Sequence, residues 1–416
     1  MRSRMRDASG AAGRTLAHPR QVTYPARVHV LALNWRDLDN PRAGGAEVHM
    51  EAILRHLGLV RGWRCTLLSS RFPGAAAEAT KEGYRIVRGG GEYTFHVAAP
   101  RLYRRVAALD PPDVVLDDVN KIPLLAPLWA RRPVLMVVPH LMGRSVFDEV
   151  PAPLAALLYG YERLTERVYR RCPVEAISQS TKDDLVARGW PPQRVRVVLC
   201  GVDHETYTTH QAAPKSPRPA LVYVGRLKRY KSVDHLLRAM PAVLARIPDA
   251  QLTVIGDGDQ GPALRRLAAQ LGLGAAVRFA GFVPLAEKVR LMQAAHVLVN
   301  PSVREGWGLT NVEANACGTA CVAADSPGLR DSCRDGETGL LYPWGDVAAL
   351  ADRLVRLLGD ASLRQRLEAG GRAWAASLTW ARCGEETAAL IEEVVRAGSP
   401  ALRRGSAASP RSGAAS

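Results

Sequence analysis

Apolar and polar positions along the chain repeat one grammar in two successive runs. Each unit is a short β-branched stretch, a turn carrying glycine, and a segment with apolar residues at helical spacing. In the first run, 26–33 (ARVHVLAL) predicts a strand, and a loop through Gly44 and Gly45 leads into a helix over about 46–56. Stretches 64–70 (RCTLLSS), 84–89 (YRIVRG), 113–118 (DVVLDD), 132–140 (RPVLMVVPH) and 174–180 (VEAISQS) predict further strands, several of them separated by helical patterns. Strands alternating with helices favour a parallel sheet covered on both faces.

The second run restarts after a Pro/Lys/Ser linker, 213–219 (APKSPRP). Strands are predicted at 220–227, 251–259, 276–283, 296–302, 319–325 and 338–343, and helices at 231–247, 261–273, 287–295 and 310–318, with a long helical region at the end. In the first of these helices Leu236, Leu237, Met240, Val243 and Leu244 share one side. The expected architecture is α/β: two Rossmann-like doubly wound domains, 26–205 and 206–396, between the tails 1–25 and 397–416, which read as disordered. Such domains place a ligand in the cleft at the carboxyl ends of their strands.

Charge narrows the partners. The formal net charge is +16; residues 1–25 carry five Arg and one Asp (+4), residues 397–416 three Arg and no acid (+3), which leaves +9 on the body. A positive body suits a nucleotide or a phospholipid surface. No zinc-finger spacing, RNP-like sequence or Lys/Arg block appears in the body, so nucleic acid is not an expected partner. Seven Cys with no CxxC pair read as free thiols in a reducing cytosol. Cys317 and Cys321 stand at helical spacing without an adjacent His, which suits buried small residues better than metal ligands. No stretch has the apolar length of a membrane span, and the basic start has no apolar core behind it as a secretory signal would, so a cytoplasmic location is expected. Segment 151–171 joins an apolar start to Arg163, Arg167, Arg170 and Arg171. It reads as an amphipathic helix packed on the first sheet, the commoner case, or as an interfacial helix giving peripheral contact at the inner face of a membrane.

Candidate chemistry concentrates in two stretches of the second run. In 301–318 (PSVREGWGLTNVEANACG), Glu305 follows a strand, Gly306 and Gly308 leave backbone N–H groups open to a ligand, and a helix begins near Leu309–Thr310. Glu313 falls in its first turns, so the two acids can hold two parts of one polyhydroxylated ligand; equally, Thr310 and Glu313 form T-x-x-E, a capping box, and Glu305 can be a solvated loop acid. In 224–232 (VGRLKRYKS), Gly225 makes a turn, Arg226 offers a planar fork to a diphosphate and Lys231 a point charge. Alternation turns at least one of Lys228 and Arg229 outward.

GRLKRYKS with REGWGLTNVEA resembles the family 4 retaining glycosyltransferases (glycosyl transferases group 1), whose fold is GT-B. The resemblance runs over about 28–395 and is reinforced by IGDGD at 255–259, DGETGLLYPWGD at 335–346 and NWRDLDNPRAGGAEVH at 34–49. It implies a cleft between the domains and a C-terminal helix that returns to the N-terminal, acceptor domain. Arg226 and Lys231 would hold the donor diphosphate, with Gly44 and Gly45 closing over it, and Glu313 would grip the ribose. Glu305 would lie beside the transferred sugar as a positioning group rather than a nucleophile, and N–H groups from Gly306, Trp307, Gly308 and Leu309 to Thr310 would support sugar or phosphate oxygens. His140 falls where the family has an active-site His. Base contacts are expected around Phe282–Val283 and leave the base open between UDP and GDP donors. One departure is Ser232, where the family often has Gly after the lysine; a Ser there can cap the next helix.

The implied reaction moves a sugar to a hydroxyl acceptor with retention, in cell-surface glycan, glycolipid or secondary-metabolite biosynthesis. It needs no cofactor and no metal: Arg and Lys stabilise the leaving group, and the adjacent Asp117–Asp118 lies in the other domain. The alternatives are a non-catalytic nucleotide-sugar-binding protein or a nucleotide-sugar epimerase of the same fold. The acceptor stays unnamed.

Overall fold

Uninterrupted Val, Leu, Ile and Ala runs form strands buried on both faces, as in β1 (His29–Leu33), β5 (Val114–Asp118) and β6 (Val134–Val138). The computed structural model describes residues 28–398, apart from 121–122, 142, 144–145, 147–149 and 211. The tails expected to be disordered lie outside the described residues, except that Ala397 and Gly398 end the last helix.

The first sheet adds β2 (Arg64–Ser70), β3 (Glu78–Lys81), β4 (Tyr84–Gly89), β7 (Val174–Ala176) and β8 (Val195–Val197), in the order β3-β4-β2-β1-β5-β6-β7-β8. Only the β3–β4 pair is antiparallel. The second sheet is wholly parallel: β9 (Ala220–Val224), β10 (Gln251–Ile255), β11 (Val277–Gly281), β12 (Val297–Asn300), β13 (Ala320–Ala324) and β14 (Gly339–Tyr342), in the order β11-β10-β9-β12-β13-β14. The strand order reverses between β1 and β5 in one sheet and between β9 and β12 in the other, and a reversal opens a crevice beyond the carboxyl ends.

The long helical region resolves into Val347–Gly359, Ala361–Ala376 and Trp380–Gly398. The last of these returns to the first domain. Its Cys383, Leu390, Ile391 and Val394 join one core with Ile53, Leu54 and Leu57 of the helix Gly45–Leu59. The chain crosses between domains where Val202 N donates to Leu378 O at 3.1 Å, and a Cβ on Gly201 would stand 2.2 Å from Trp380 N. The stretch 213–219 is therefore not a free linker: Lys215 Nζ donates to Ala295 O (2.7 Å), Gly318 O and Thr319 Oγ1 (both 3.0 Å), which straps it to the second domain. Cys317 and Cys321 are both buried, yet they do not share a helix, because Cys321 lies on β13.

Segment 151–171 packs on the first domain as expected, through Ala155 and Tyr169, the latter in the core with Val168 against it, but its inward face is partly polar. Helix Ala152–Tyr169 also buries Glu162, Thr165 and Glu166 while Leu154, Leu157 and Leu164 stay exposed. Partners outside the helix allow the two acids to be buried: Arg188 Nη1 reaches Glu162 at 2.6 Å and Glu166 at 3.2 Å, and Gly143 N donates to Glu162 at 2.9 Å. No helix among the described residues is long and apolar enough to cross a membrane.

Candidate active site

Two loops at the reversal point of the second sheet lie side by side. The loop after β9 passes Gly225 and Arg226 and makes a 3₁₀ turn at Arg229–Lys231. It rests backbone on backbone against the turn after β10: Gly225 N donates to Ile255 O (3.0 Å), Leu227 N to Asp257 O (2.9 Å) and Gln260 N to Leu227 O (3.0 Å). A Cβ on Gly256 would stand 2.0 Å from Gly225 O, and one on Gly258 2.3 Å from Leu227 O, so I-G-D-G-D is a contact surface for the basic loop. The loop after β12 is tied to it by Val303 N donating to Tyr230 O at 3.0 Å.

Buried polar groups fix that second loop. Ser302 Oγ donates to Asn300 Oδ1 (2.9 Å), and Asn300 Nδ2 donates to Thr310 Oγ1 (3.3 Å) and Asn311 Oδ1 (3.2 Å). Glu305 N donates to Pro327 O at 3.0 Å, and Gly328, at φ +80°, presses so close that a Cβ would stand 2.3 Å from Glu305 O. No motif reading singled out Gly328; its signal is a left-handed turn that only the fold brings under Glu305.

Both acids have lysine partners. Lys231 Nζ donates to Glu305 Oε1. Burial works against the Lys231 charge, but the carboxylate outweighs it and holds the ammonium above its ordinary pKa. Lys288 Nζ donates to Glu313 Oε2 at 2.8 Å, a partnership the sequence did not suggest. Lys228 turns outward to Asp259 at 2.9 Å. Arg226 is exposed; its carbonyl accepts from Lys228 N and the Tyr223 hydroxyl, but its guanidinium has no hydrogen bond or ion pair with the described residues, which leaves it as a cation available to an anion. The T-x-x-E capping box does not form: the helix is Leu309–Ala316, its N-cap is Gly308 at φ +91°, and Glu313 turns to Lys288 instead. Among the described residues, no group of three His, Cys, Asp or Glu side chains stands together as a metal site.

The first domain supplies the facing wall. Gly44 opens the helix Gly45–Leu59, with Gly44 N donating to Glu47 Oε2 at 2.7 Å. A Cβ on Gly44 would lie 3.7 Å from Arg226 Nη2, and one on Gly45 would lie 3.2 Å from Leu309 Cδ1, so the glycine loop meets both stretches of the second domain. A Cβ on Gly306 would stand 2.8 Å from Pro139 O, which brings the Glu305 loop beside His140. Burial lowers the His140 pKa, Glu305 opposes that, and Arg304 and Lys231 reinforce it, so the imidazole is neutral at pH 7. Arg304 Nη1 donates to Leu141 O at 2.7 Å across the same junction.

The fold thus brings together His140, Arg226, Lys231, Glu305, Gly44, Gly45, Gly306 and Leu309. Trp307 faces the other way: its side chain is 2% exposed and its ring lies 6.3 Å from that of Trp374, so only its backbone is left for a ligand. Phe282, just past β11, is 88% exposed, with Val283 half-buried behind it.

Comparison with known proteins gives this arrangement a family. Residues 43–206 match Glycosyltransferase Family 4, and residues 207–374 match Glycosyl transferases group 1. The chain is 40% identical over 205 residues to D-inositol 3-phosphate glycosyltransferase of Frankia alni, covering 45% of this chain and 50% of that protein. That match therefore spans half the length of the relative. It is 27% identical over 374 residues to a GDP-mannose-dependent alpha-(1-6)-phosphatidylinositol monomannoside mannosyltransferase of Mycolicibacterium smegmatis, covering 84% and 95% of the two chains. Among solved structures, sucrose-phosphate synthase from Thermosynechococcus elongatus superposes with a TM-score of 0.75 at 21% identity, over 89% of this chain and 100% of that one. Anabaena HepE in complex with UDP and glucose superposes with 0.69 at 19% identity, over 88% and 100%. These structural likenesses show the fold, two Rossmann-like domains of the GT-B kind. With two adjoining family matches running through 43–374 and a GT-B cleft between the halves, the chain belongs to the family 4 glycosyltransferases.

Proposed function

We propose that this glycosyltransferase moves a sugar from a nucleoside diphosphate, UDP or GDP, to a hydroxyl acceptor with retention of anomeric configuration. The observation that carries the reading is the charge pattern of the cleft: Lys231 answers Glu305, Lys288 answers Glu313, and Arg226 is left over beside Gly44. One unspent guanidinium at a strand end suits the fork geometry of a diphosphate.

In this mechanism the bond from the anomeric carbon to the phosphate oxygen breaks, and its electron pair leaves with the diphosphate. The acceptor oxygen bonds to the same face of the sugar and passes its proton to the departing phosphate. Arg226, Lys231 and the N–H groups that open the helix Leu309–Ala316 stabilise the leaving charge. Glu305, fixed by Lys231 and by the Pro327–Gly328 turn, positions the sugar and supports its positive charge, and neutral His140 lines the sugar pocket as a hydrogen-bonding group. Glu313 binds the ribose. These roles proceed without a metal or other cofactor.

We place the acceptor at the inner face of a membrane, as a hydroxyl of a lipid-linked polyol. The Mycolicibacterium relative is named for a phosphatidylinositol-linked substrate, and helix Ala152–Tyr169 shows three leucines beside a basic end.

The test is nucleotide release by purified protein across a panel of UDP- and GDP-sugars, with thermal shift alongside. Arg226→Ala is expected to lower release by about 10²–10³-fold, the loss seen when one leaving-charge stabiliser is removed, with the melting temperature unchanged. Wild-type turnover in that variant would sink the diphosphate assignment. No release from any donor by the wild type would favour a non-catalytic binding protein.

A further inference from the structure

We propose that Lys288 is a positioning residue of the donor site and sets its preference for ribose over deoxyribose. The proposal rests on the reading of Glu313 as the ribose-binding acid.

Three separate segments meet at this lysine. It lies on the helix Leu285–Ala294, just beyond the end of β11. Its ammonium donates to Glu313 Oε2 at 2.8 Å and to the Tyr207 hydroxyl at 2.8 Å, and it sits 4.9 Å from the centre of the Tyr207 ring. Tyr207 is itself buried, just past the crossing between domains. The Lys288 and Glu313 side chains are 20% and 15% exposed, neither core nor free surface.

An exposed lysine pair usually wanders, because holding two long side chains in one geometry costs entropy. Here two acceptors and an aromatic face fix the ammonium, and the ammonium fixes the carboxylate. It holds Oε2, and the Tyr207 hydroxyl bonds the same carboxylate, so the group is fixed in one orientation with lone pairs left to accept from sugar hydroxyls. It also balances a negative charge that a neighbouring diphosphate would otherwise repel. Glu305 has the same arrangement with Lys231, so each acid of the cleft is aimed by its own lysine. Lys288 acts through Glu313, so its loss should fall on recognition of the ribose and leave the chemical step alone.

Calorimetric titration of UDP and GDP, each beside its 2′-deoxy and 3′-deoxy analogue, tests this on the full chain. The wild type is expected to bind the better nucleotide about 10–100-fold more tightly than at least one deoxy form, the span of a hydrogen bond to a charged group. In Lys288→Met the ratio should fall to within about threefold, through weaker binding of the ribose form, with kcat at saturating donor within about threefold of wild type. Lys288→Arg should restore most of the ratio. A wild type that does not discriminate would remove the ribose role of Glu313 and this proposal with it. A discriminating wild type whose ratio survives in Lys288→Met would remove the proposal alone. If the Met variant does not fold, Tyr207→Phe takes its place, keeping the ring and removing one of the two acceptors that hold the ammonium. A partial fall in the ratio is then expected, and an unchanged ratio overturns the proposal.

Discussion

Ser232 has a backbone that suits glycine, at φ +49° and ψ +39°. It stands at the N-cap of the helix Val233–Arg246, but its side chain makes no cap bond; its hydroxyl accepts from Trp344 Nε1 at 3.2 Å instead. The expectation that serine substitutes as a helix cap fails because the left-handed turn points its hydroxyl elsewhere. That turn directly follows Lys231, so the strain is part of how the lysine is presented to the cleft. A left-handed non-glycine residue costs about 1–2 kcal/mol. Ser232→Gly is therefore expected to be more stable than Ser232→Ala by about 1–2 kcal/mol, since both lose the Trp344 bond and only Gly relieves the backbone. Chemical denaturation reads the difference, and equal midpoints would mean that the strain is absent. Lys288 stayed hidden in the sequence for a different reason. Its partner lies 25 residues away, and E-K-V-R inside an amphipathic helix looks like any solvated face.

At the scale of elements, apolar runs announced most strands, because a parallel strand covered on both faces needs no polar alternation. The short, charged β3 (EATK) and β8 (VRV) carried no such signal. Helix Ala152–Tyr169 shows the sharper limit. Its periodicity was visible, but which side faces the protein depends on Arg188 and on the Gly143 N–H, which no local pattern contains. The proposed membrane contact rests on exposed Leu154, Leu157 and Leu164 next to Arg163, Arg167 and Arg170, an apolar and basic surface of the kind that meets acyl chains and anionic headgroups. Replacing Leu157 and Leu164 together with Glu should weaken co-sedimentation with phosphatidylglycerol-containing vesicles at least about tenfold, because two exposed leucines available to the acyl layer are lost and two charges like those of the lipid are gained. Neutral phosphatidylcholine vesicles should bind the wild type weakly, and salt should weaken the anionic case. Unchanged sedimentation of the double variant would remove the membrane role of this helix.

Across the whole molecule, the crossing between the domains sits over buried groups that titrate. Glu175 is fully buried in the middle of β7, and His49 Nε2, on the helix that follows the glycine loop, lies 3.8 Å from its Oε1. The His49 ring is 6.2 Å from Trp380, the residue against which Gly201 packs at the crossing. Burial pushes Glu175 up to about 8 and His49 down to about 4, so both are neutral at pH 7. Asp118, also raised by burial, has the acids Glu47, Asp117 and Glu175 around it, which push the same way. The two shifts squeeze stability from opposite sides. The raised Glu175 contributes stability that is full below its unfolded value near 4.5 and is lost as pH rises toward about 8. The lowered His49 contributes stability that is full above 6.5 and is lost as pH falls toward about 4. Keeping Glu175 protonated at pH 7, about 2.5 units above its unfolded value, costs about 3 kcal/mol at ~1.4 kcal/mol per unit. Glu175→Gln keeps the shape without the proton, so it should raise stability at pH 7 by about 2–3 kcal/mol and flatten the decline between pH 5 and 8. The acid-side loss below pH 6.5, which His49 shares with His296, lowered to about 4 as well, should remain. Melting temperatures measured across pH 4.5–8.5 decide the matter. If the variant keeps the wild-type slope above pH 5, Glu175 is ionised in the folded protein and paired with a protonated His49, and the two domains are joined over an ion pair rather than over two neutral groups.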